Sequence, residues 1–215
     1  MTINELKFGN LNKRDLAYLK EENYLDSLFN ELANHPNPTN DSEETQRELV
    51  SIVSFIDILS KNAELLHRYL DYDKSIEDYL TKILEKTDIL SFDLSSILKD
   101  VFKDATPLLI KVKNHYQRIR PQQIAYFAKC ELNPFQSVST DSPSYPSGHA
   151  YYAKLYCEVL GNRYPKYYKQ LQEISNDMAW SRISMGVGFP SDSDFGIYMA
   201  DCVLAHPDFK KKYKL

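Results

Sequence analysis

The stretch LVSIVSFIDILSKNAELLHRYL, residues 49–70, decides the fold class. Its larger apolar side chains recur every three or four residues and form one stripe, made of Ile52, Phe55, Ile56, Leu59, Leu66 and Leu70. Charged residues, among them Lys61 and Glu64, fall on the opposite side. The spacing therefore predicts an amphipathic helix that buries its apolar stripe against other elements.

The same helical period continues on both sides of this stretch. Upstream, helices are predicted over 15–33 and over 40–48, the latter with Asp41 and Ser42 as candidate N-caps. Downstream, they are predicted over 76–84 and from residue 94 to 101, with a pause near Thr87. Further helices are predicted from Pro146 to Val159, ended by Gly161, and from Pro165 to about Met185, ended by Gly186 or Gly188. No run alternates with period two. We therefore expect an all-α, compact multi-helix bundle that forms one domain over residues 1–215.

One long segment breaks the helical pattern. Residues 121–145 contain Asn133-Pro134 and a run rich in serine, threonine, aspartate and proline. Such a composition interrupts helices, so the segment is predicted to be irregular.

Composition excludes several classes of protein. The 215 residues include 30 acidic and 26 basic side chains, which give a net charge of -4 and argue against a duplex nucleic acid partner. No apolar run is long enough to predict a membrane span. Three cysteines without CxxC spacing suggest neither a zinc site nor a disulfide scaffold. The N-terminus lacks a secretory apolar core, so we expect a cytoplasmic protein if Met1 is the native start, and a periplasmic or secreted one if a signal peptide was removed.

Two clusters place cations and polar groups on predicted helices. Lys113 and Arg120 are seven residues apart, so they would share one helix face roughly 10 Å apart, although a basic helix end often only faces solvent. Pro146-Ser147-Gly148-His149 opens a helix, where free backbone N–H groups can hold an anion. The same motif is also consistent with a capped helix start and an incidental histidine.

A third cluster is Ser181-Arg182, followed by Asp192. Arg182 lies four residues after Met178 and continues the core stripe of its helix, so its guanidinium points inward. A buried arginine requires an anion, which is either a carboxylate such as Asp192 or a ligand. Taken together, the three clusters supply the cations, hydroxyl, backbone donors and acid that a phosphoryl transition state requires.

In this order the clusters resemble the three-part signature of the type 2 phosphatidic acid phosphatase superfamily, and most closely the class A bacterial non-specific acid phosphatases. Similar stretches in the same order extend the resemblance over most of the chain: Ala17–Lys20, Asn114–Pro121, Ser144–His149 and His206–Phe209.

The resemblance implies an all-α fold and hydrolysis of phosphomonoesters through a phosphohistidine, without a metal or other cofactor; vanadate would act as a phosphate mimic. It assigns phosphate binding to Lys113, Arg120, Ser147, Gly148 and Arg182. His149 would protonate the leaving alcohol, and Asp192 would orient the nucleophilic histidine. The implied partner is a small phosphomonoester or inorganic phosphate, and the family also admits a homo-oligomer.

The family's nucleophile is missing from this chain. The pattern Ser-Arg-x5-His-x3-Asp places the histidine at position 188, which is Gly188 here. The chain is therefore expected to be inactive or severely impaired. An engineered substitution is the favoured explanation; a natural protein that binds phosphate or a nucleotide without turnover, and slow hydrolysis by direct attack of water, are the alternatives.

Other readings remain open at this level. A vanadium haloperoxidase shares the pocket, but its vanadate is bonded to the histidine that is absent here. A lipid phosphatase is disfavoured because no membrane span is predicted. The leaving group of the substrate is not determined, although tyrosines such as Tyr152 could stack on an aromatic group.

Overall fold

The computed structural model describes residues 2–9, 11–87 and 91–215, and these ranges are helical without any β-strand. The prediction of an all-α fold is confirmed. The α-helices are α1 (Lys13–Tyr18), α2 (Phe29–Ala33), α3 (Glu43–Ser60), α4 (Ala63–Lys74), α5 (Ile76–Leu84), α6 (Ser91–Tyr116), α7 (Pro121–Ala128), α8 (Gly148–Arg163), α9 (Tyr168–Ser184), α10 (Pro190–Ala205) and α11 (Pro207–Tyr213). Short 3-10 helices lie at Ile3–Glu5, Tyr24–Leu28 and Pro165–Tyr167. Within the described ranges, no helix combines the length and apolar character that crossing a bilayer requires.

Helix α8 lies at the centre of the packing. It makes its most extensive contacts with α9 and α10, and it also touches α5 and α6. Apolar residues are therefore buried on several sides of α8, including Tyr151, Leu155 and Leu160. A smaller apolar cluster joins α3, α7 and α9 through Ile52, Ile124 and Ile183. The N-terminus of α8, which carries the Pro-Ser-Gly-His motif, is thus held by a rigid surrounding of helices.

Two glycines allow backbones to approach or turn near this motif. A Cβ atom on Gly196 of α10 would lie 2.6 Å from the carbonyl oxygen of Ser147, which is closer than side chains tolerate. Gly196 therefore lets α10 pack directly against the start of α8. Gly186 has a φ of 75°, a left-handed conformation that glycine adopts without strain, and it ends α9.

Several predicted boundaries upstream of α6 are wrong. The stripe over 49–70 belongs to two helices, because Asn62 caps α4 by accepting a hydrogen bond from the Leu65 N–H. Residues 15–33 are divided among α1, a 3-10 helix and α2, since the Asn23 side chain caps a new helical turn. The helix predicted over 40–48 begins at Glu43 and continues to Ser60; of its two candidate N-caps, Ser42 is confirmed, because its side chain accepts a hydrogen bond from the Thr45 N–H. The prediction over 76–84 is confirmed by α5.

Boundaries further along the chain also differ from the prediction. The helix predicted over 94–101 is part of α6, which continues to Tyr116. Gln117 then has a φ of 56°. Lys113 and Arg120 therefore do not share a helix face, since Arg120 precedes α7 as its N-cap.

The segment predicted to be irregular begins with α7, because proline is well tolerated in the first turn of a helix. Helix α8 starts at Gly148 rather than Pro146, and it runs through Gly161 to Arg163. A Cβ at Gly161 would meet the Tyr168 ring at 2.5 Å, so this glycine serves close packing rather than helix termination.

Candidate active site

One cleft, with a volume of about 370 Å³, collects the predicted site residues. Helices α4, α6, α8 and α9 and the segment 139–144 contribute to its walls. Seven of the eight predicted residues line it: Lys113, Arg120, Ser147, Gly148, His149, Arg182 and Gly188. The eighth, Asp192, is fully buried behind Gly188. Residues that are up to 75 positions apart in sequence thus face one small volume.

The start of α8 forms the floor of the cleft. Ser147 is the N-cap, its Oγ accepts a hydrogen bond from the Ala150 N–H at 3.4 Å, and its own N–H donates to the Asp192 carbonyl at 2.8 Å. His149 is partly buried in the first turn of α8 and lines the cleft. Burial and the nearby charge of Arg182 lower the pKa of His149 well below its ordinary value. The empty cleft therefore favours a neutral imidazole.

Lys113 reaches the cleft from the last turns of α6. Its side chain is buried, with a residue exposure of 4%, and its Nζ donates a hydrogen bond to the Pro143 carbonyl. Burial, and after it the positive charge of Arg120, lowers the pKa of Lys113 to about 7. The charge of this lysine is consequently sensitive to pH near neutrality.

Arg120 uses its guanidinium to hold the cleft wall. Its N–H groups donate to the carbonyls of Ser142 at 2.7 and 3.0 Å, Thr140 at 3.2 Å and Val187 at 2.7 Å. Burial and the charge of Arg182 lower the pKa of Arg120 to about 10, so it remains charged at neutral pH. The backbone carbonyls fix this cation beside the cleft without neutralising it.

Arg182 is paired with a carboxylate that the sequence analysis did not identify. Its Nη1 lies 2.6 Å from Oδ1 of Asp73, which is at the end of α4. Both side chains are almost completely buried. The prediction of an inward-pointing guanidinium is met, but Asp192, named as its candidate carboxylate partner, does not pair with it.

Asp192 instead belongs to a network behind the cleft. Its Oδ1 accepts hydrogen bonds from Arg118 at 2.8 Å and Ser144 at 3.3 Å, and its Oδ2 accepts one from the Phe189 N–H at 2.7 Å. Arg118 also contacts Glu48 at 3.3 Å. Arg118 pairs with Asp192 because the two side chains are buried next to each other, whereas Arg182 lies next to Asp73.

Gly188 lines the cleft above the Asp192 carboxylate. A Cβ placed on Gly188 would meet Arg182 Cβ and Asp192 Oδ2 at 3.6 Å, which is ordinary van der Waals contact. The residue does not adopt a left-handed φ. Unlike Gly186 and Gly196, Gly188 is therefore not required by the local backbone, and a larger side chain can begin there.

Asp73, Arg118 and Glu48 were missed as parts of this arrangement. Arg118 lies inside a stretch that carries the family resemblance, but nothing assigns it a partner. Asp73 and Glu48 are acids on amphipathic helices and look like ordinary solvent-facing residues. Their burial depends on contacts across 109 and 70 positions of the chain, which local spacing does not encode. Among the described residues, no group of three or more histidine, cysteine, aspartate or glutamate side chains is arranged to hold a metal ion.

Comparisons with known proteins found similarity to two phosphatases. No protein-family model matches the sequence. A non-specific acid phosphatase of Salmonella typhi is 30% identical over 103 residues, which cover 46% of this chain. The chain spans 41% of the length of this curated relative. A transmembrane PAP2-type phosphatidylglycerolphosphate phosphatase from Bacillus subtilis aligns in structure with a TM-score of 0.34 and 18% identity, over 93% of this chain and 85% of the other. The stretch that is similar to the acid phosphatase is shorter than half of either chain.

Proposed function

We propose that this chain is the scaffold of a phosphomonoesterase of the acid phosphatase type, inactive or severely impaired because glycine stands at the nucleophile position. The observation that carries the proposal is the convergence of three cations, the start of α8 and Gly188 on one cleft. Three cations beside a helix N-terminus match the charge of a phosphate group.

In the proposed reaction, Lys113, Arg120 and Arg182 hold the phosphate oxygens together with the first turn of α8. A histidine at position 188 would attack phosphorus, and the bond to the leaving alcohol oxygen would break as His149 gives that oxygen a proton. Water would then attack phosphorus and lose its proton to His149, and the phosphorus–nitrogen bond would break. Inorganic phosphate and the free imidazole are the products of this second step.

The surroundings of Gly188 support a lost imidazole. Asp192 Oδ2 already accepts one hydrogen bond from Phe189 and retains a second lone pair, and this oxygen lies 3.6 Å from the position of a Cβ on residue 188. An imidazole Nδ1–H is a suitable donor for that lone pair. A histidine at 188 would thus be held in one tautomer, as nucleophilic attack by Nε2 requires.

A protein that binds phosphate without turnover is the second candidate, and Gly188 itself favours it. It uses the same cations and needs no nucleophile. The two candidates differ in whether the cleft is built for an imidazole at position 188. A single substitution, Gly188→His, tests this.

We expect Gly188→His to hydrolyse p-nitrophenyl phosphate between about pH 4 and 8, the range over which histidines titrate. Free imidazole should partly restore hydrolysis to the glycine form, because it can occupy the space above Asp192 and attack phosphorus. Gly188→Gln, which fills the same space with a polar side chain that is no nucleophile, is the matched control and should stay inactive. If Gly188→His folds and binds phosphate but hydrolyses nothing, the chain is a binding protein.

A further inference from the structure

Asp73 has surroundings that the proposed reaction does not explain. Its Oδ1 accepts hydrogen bonds from Arg182 at 2.6 Å, Ser137 Oγ at 2.7 Å and Ser139 Oγ at 2.6 Å. Its Oδ2 accepts one from the Val138 N–H at 2.7 Å. Asp73 is only 4% exposed and lines the cleft. One carboxylate therefore receives a guanidinium, two hydroxyls and a backbone amide.

Ser137 and Ser139 also hold Arg182 at the cleft wall, because their hydroxyl oxygens accept hydrogen bonds from its guanidinium. Arg182 Nη2 donates to Ser137 Oγ at 3.2 Å and to Ser139 Oγ at 2.9 Å. Asp73, Arg182 and residues 137–139 form one closed network, which we call the Asp73 network. Burial opposes ionisation of this carboxyl, but Arg182 and the hydroxyl donors prevail and lower the pKa of Asp73 to about 2. Asp73 is thus a permanent negative charge inside a cleft lined by cations.

The donors around Asp73 are of the kind that binds a phosphate oxygen. A phosphate held by Arg182 would bring a second anion next to this carboxylate, and like charges in a partly buried site repel each other strongly. The phosphate and the carboxylate therefore depend on the same guanidinium. We propose that Asp73 is a resident counter-anion of the cleft, which competes with phosphate for Arg182 and so weakens the retention of phosphate.

This inference rests on the proposed function and adds a step to it. A buried guanidinium without a counter-ion would be unfavourable, and Asp73 stabilises Arg182 when no phosphate is bound. After hydrolysis, the same carboxylate would return to Arg182 as inorganic phosphate leaves. Asp73 thereby favours product release. It also makes the cleft selective for ligands whose binding free energy from Lys113, Arg120 and α8 is large enough to displace the carboxylate from Arg182.

The decisive variant is Asp73→Asn, which removes the charge and nearly keeps the shape. We expect it to bind inorganic phosphate at least about tenfold more tightly than the unaltered chain in isothermal titration calorimetry, since the competing charge is gone. Asp104→Asn is the matched control. Asp104 is 8% exposed, pairs with Lys212 at 2.7 Å and does not line the cleft, so its neutralisation should leave phosphate affinity within about twofold.

Asparagine cannot satisfy all donors around position 73, because either orientation sets its NH2 group against Val138 N–H or against Arg182. Should Asp73→Asn not fold, as judged by circular dichroism, hydrogen exchange on the unaltered chain decides. Saturating phosphate should then speed exchange of the Val138 amide, which donates to Asp73 in the empty cleft. Slower or unchanged exchange would contradict the competition.

The outcomes separate this inference from the proposed function. If the unaltered chain binds phosphate and Asp73→Asn binds it equally or more weakly, Asp73 only positions Arg182 and the inference is wrong. If neither form binds phosphate, the proposed function is wrong and the inference falls with it.

Discussion

At the scale of single residues, the cleft presents cations that already have partners within the protein. Lys113 donates to Pro143, Arg120 donates to backbone carbonyls and Arg182 pairs with Asp73. Carbonyl partners orient a cation but leave its charge available, whereas a carboxylate cancels it. The three cations are therefore not equivalent. A phosphate would interact most strongly with Lys113 and Arg120, because no carboxylate among the described residues neutralises their charges.

Lys113 should make anion binding to the cleft depend on pH. Its pKa of about 7 means that its charge is fully present below that value and is lost as the pH rises through it. We expect sulfate, whose charge is constant in this range, to bind more weakly at about pH 8.5 than at pH 6. In Lys113→Arg, which keeps its charge, the decline should disappear. Calorimetric titration of both forms at the two pH values tests this, and an equal decline in both would assign the pH dependence to another group.

At the scale of secondary-structure elements, Asp192 has a structural task that is independent of any residue at 188. It caps α10 through the Phe189 N–H and pairs with Arg118, so it ties the start of α10 to the turn between α6 and α7. The presence of Asp192 is thus explained without an imidazole. A lost nucleophile is supported by the space at Gly188 and by the position of Asp192 Oδ2 beside it, not by the retention of this carboxylate.

Asp192→Asn should lower the free energy of unfolding by about 3 kcal/mol, because it leaves the buried Arg118 charge without its closest anion. Asp57→Asn removes a carboxylate from an exposed pair with Lys61 on α3 and should cost no more than about 0.5 kcal/mol. Urea denaturation of both variants measures the difference. A loss for Asp192→Asn as small as that of Asp57→Asn would show that the Arg118 pair contributes little to stability.

At the scale of the whole molecule, two apolar clusters meet on α9. Met178 belongs to the main cluster and Ile183 to the smaller one, and Trp180 lies between them in sequence. Helix α11 docks on the main cluster through Phe209, which is fully buried. Because one helix serves both clusters, we expect residues 1–215 to unfold as one domain.

Phe209→Ala in the main cluster should cost about 3–5 kcal/mol, and Ile52→Val in the smaller cluster about 0.5–1.5 kcal/mol. Each should shift one common transition, whether it is followed by Trp180 fluorescence or by far-ultraviolet circular dichroism. Phe127→Ala removes a ring that is 52% exposed and serves as the control for loss of an aromatic side chain. Separate transitions for the two probes would contradict the prediction of a single domain.

The sequence by itself determined the all-α fold class, because the 3.6-residue period of apolar side chains depends only on residues close together in the chain. It also singled out seven of the residues that line the cleft, since these stand in three short motifs, but it missed Asp73. Helix ends were less predictable: Asn62 divides residues 49–70, although the apolar stripe continues across it. The pairing of charges was decided only by the tertiary structure. Arg182 meets Asp73 and Asp192 meets Arg118 because helices distant in sequence pack together, and the cost of burying a charge selects the nearest buried counter-ion rather than the nearest one in the chain.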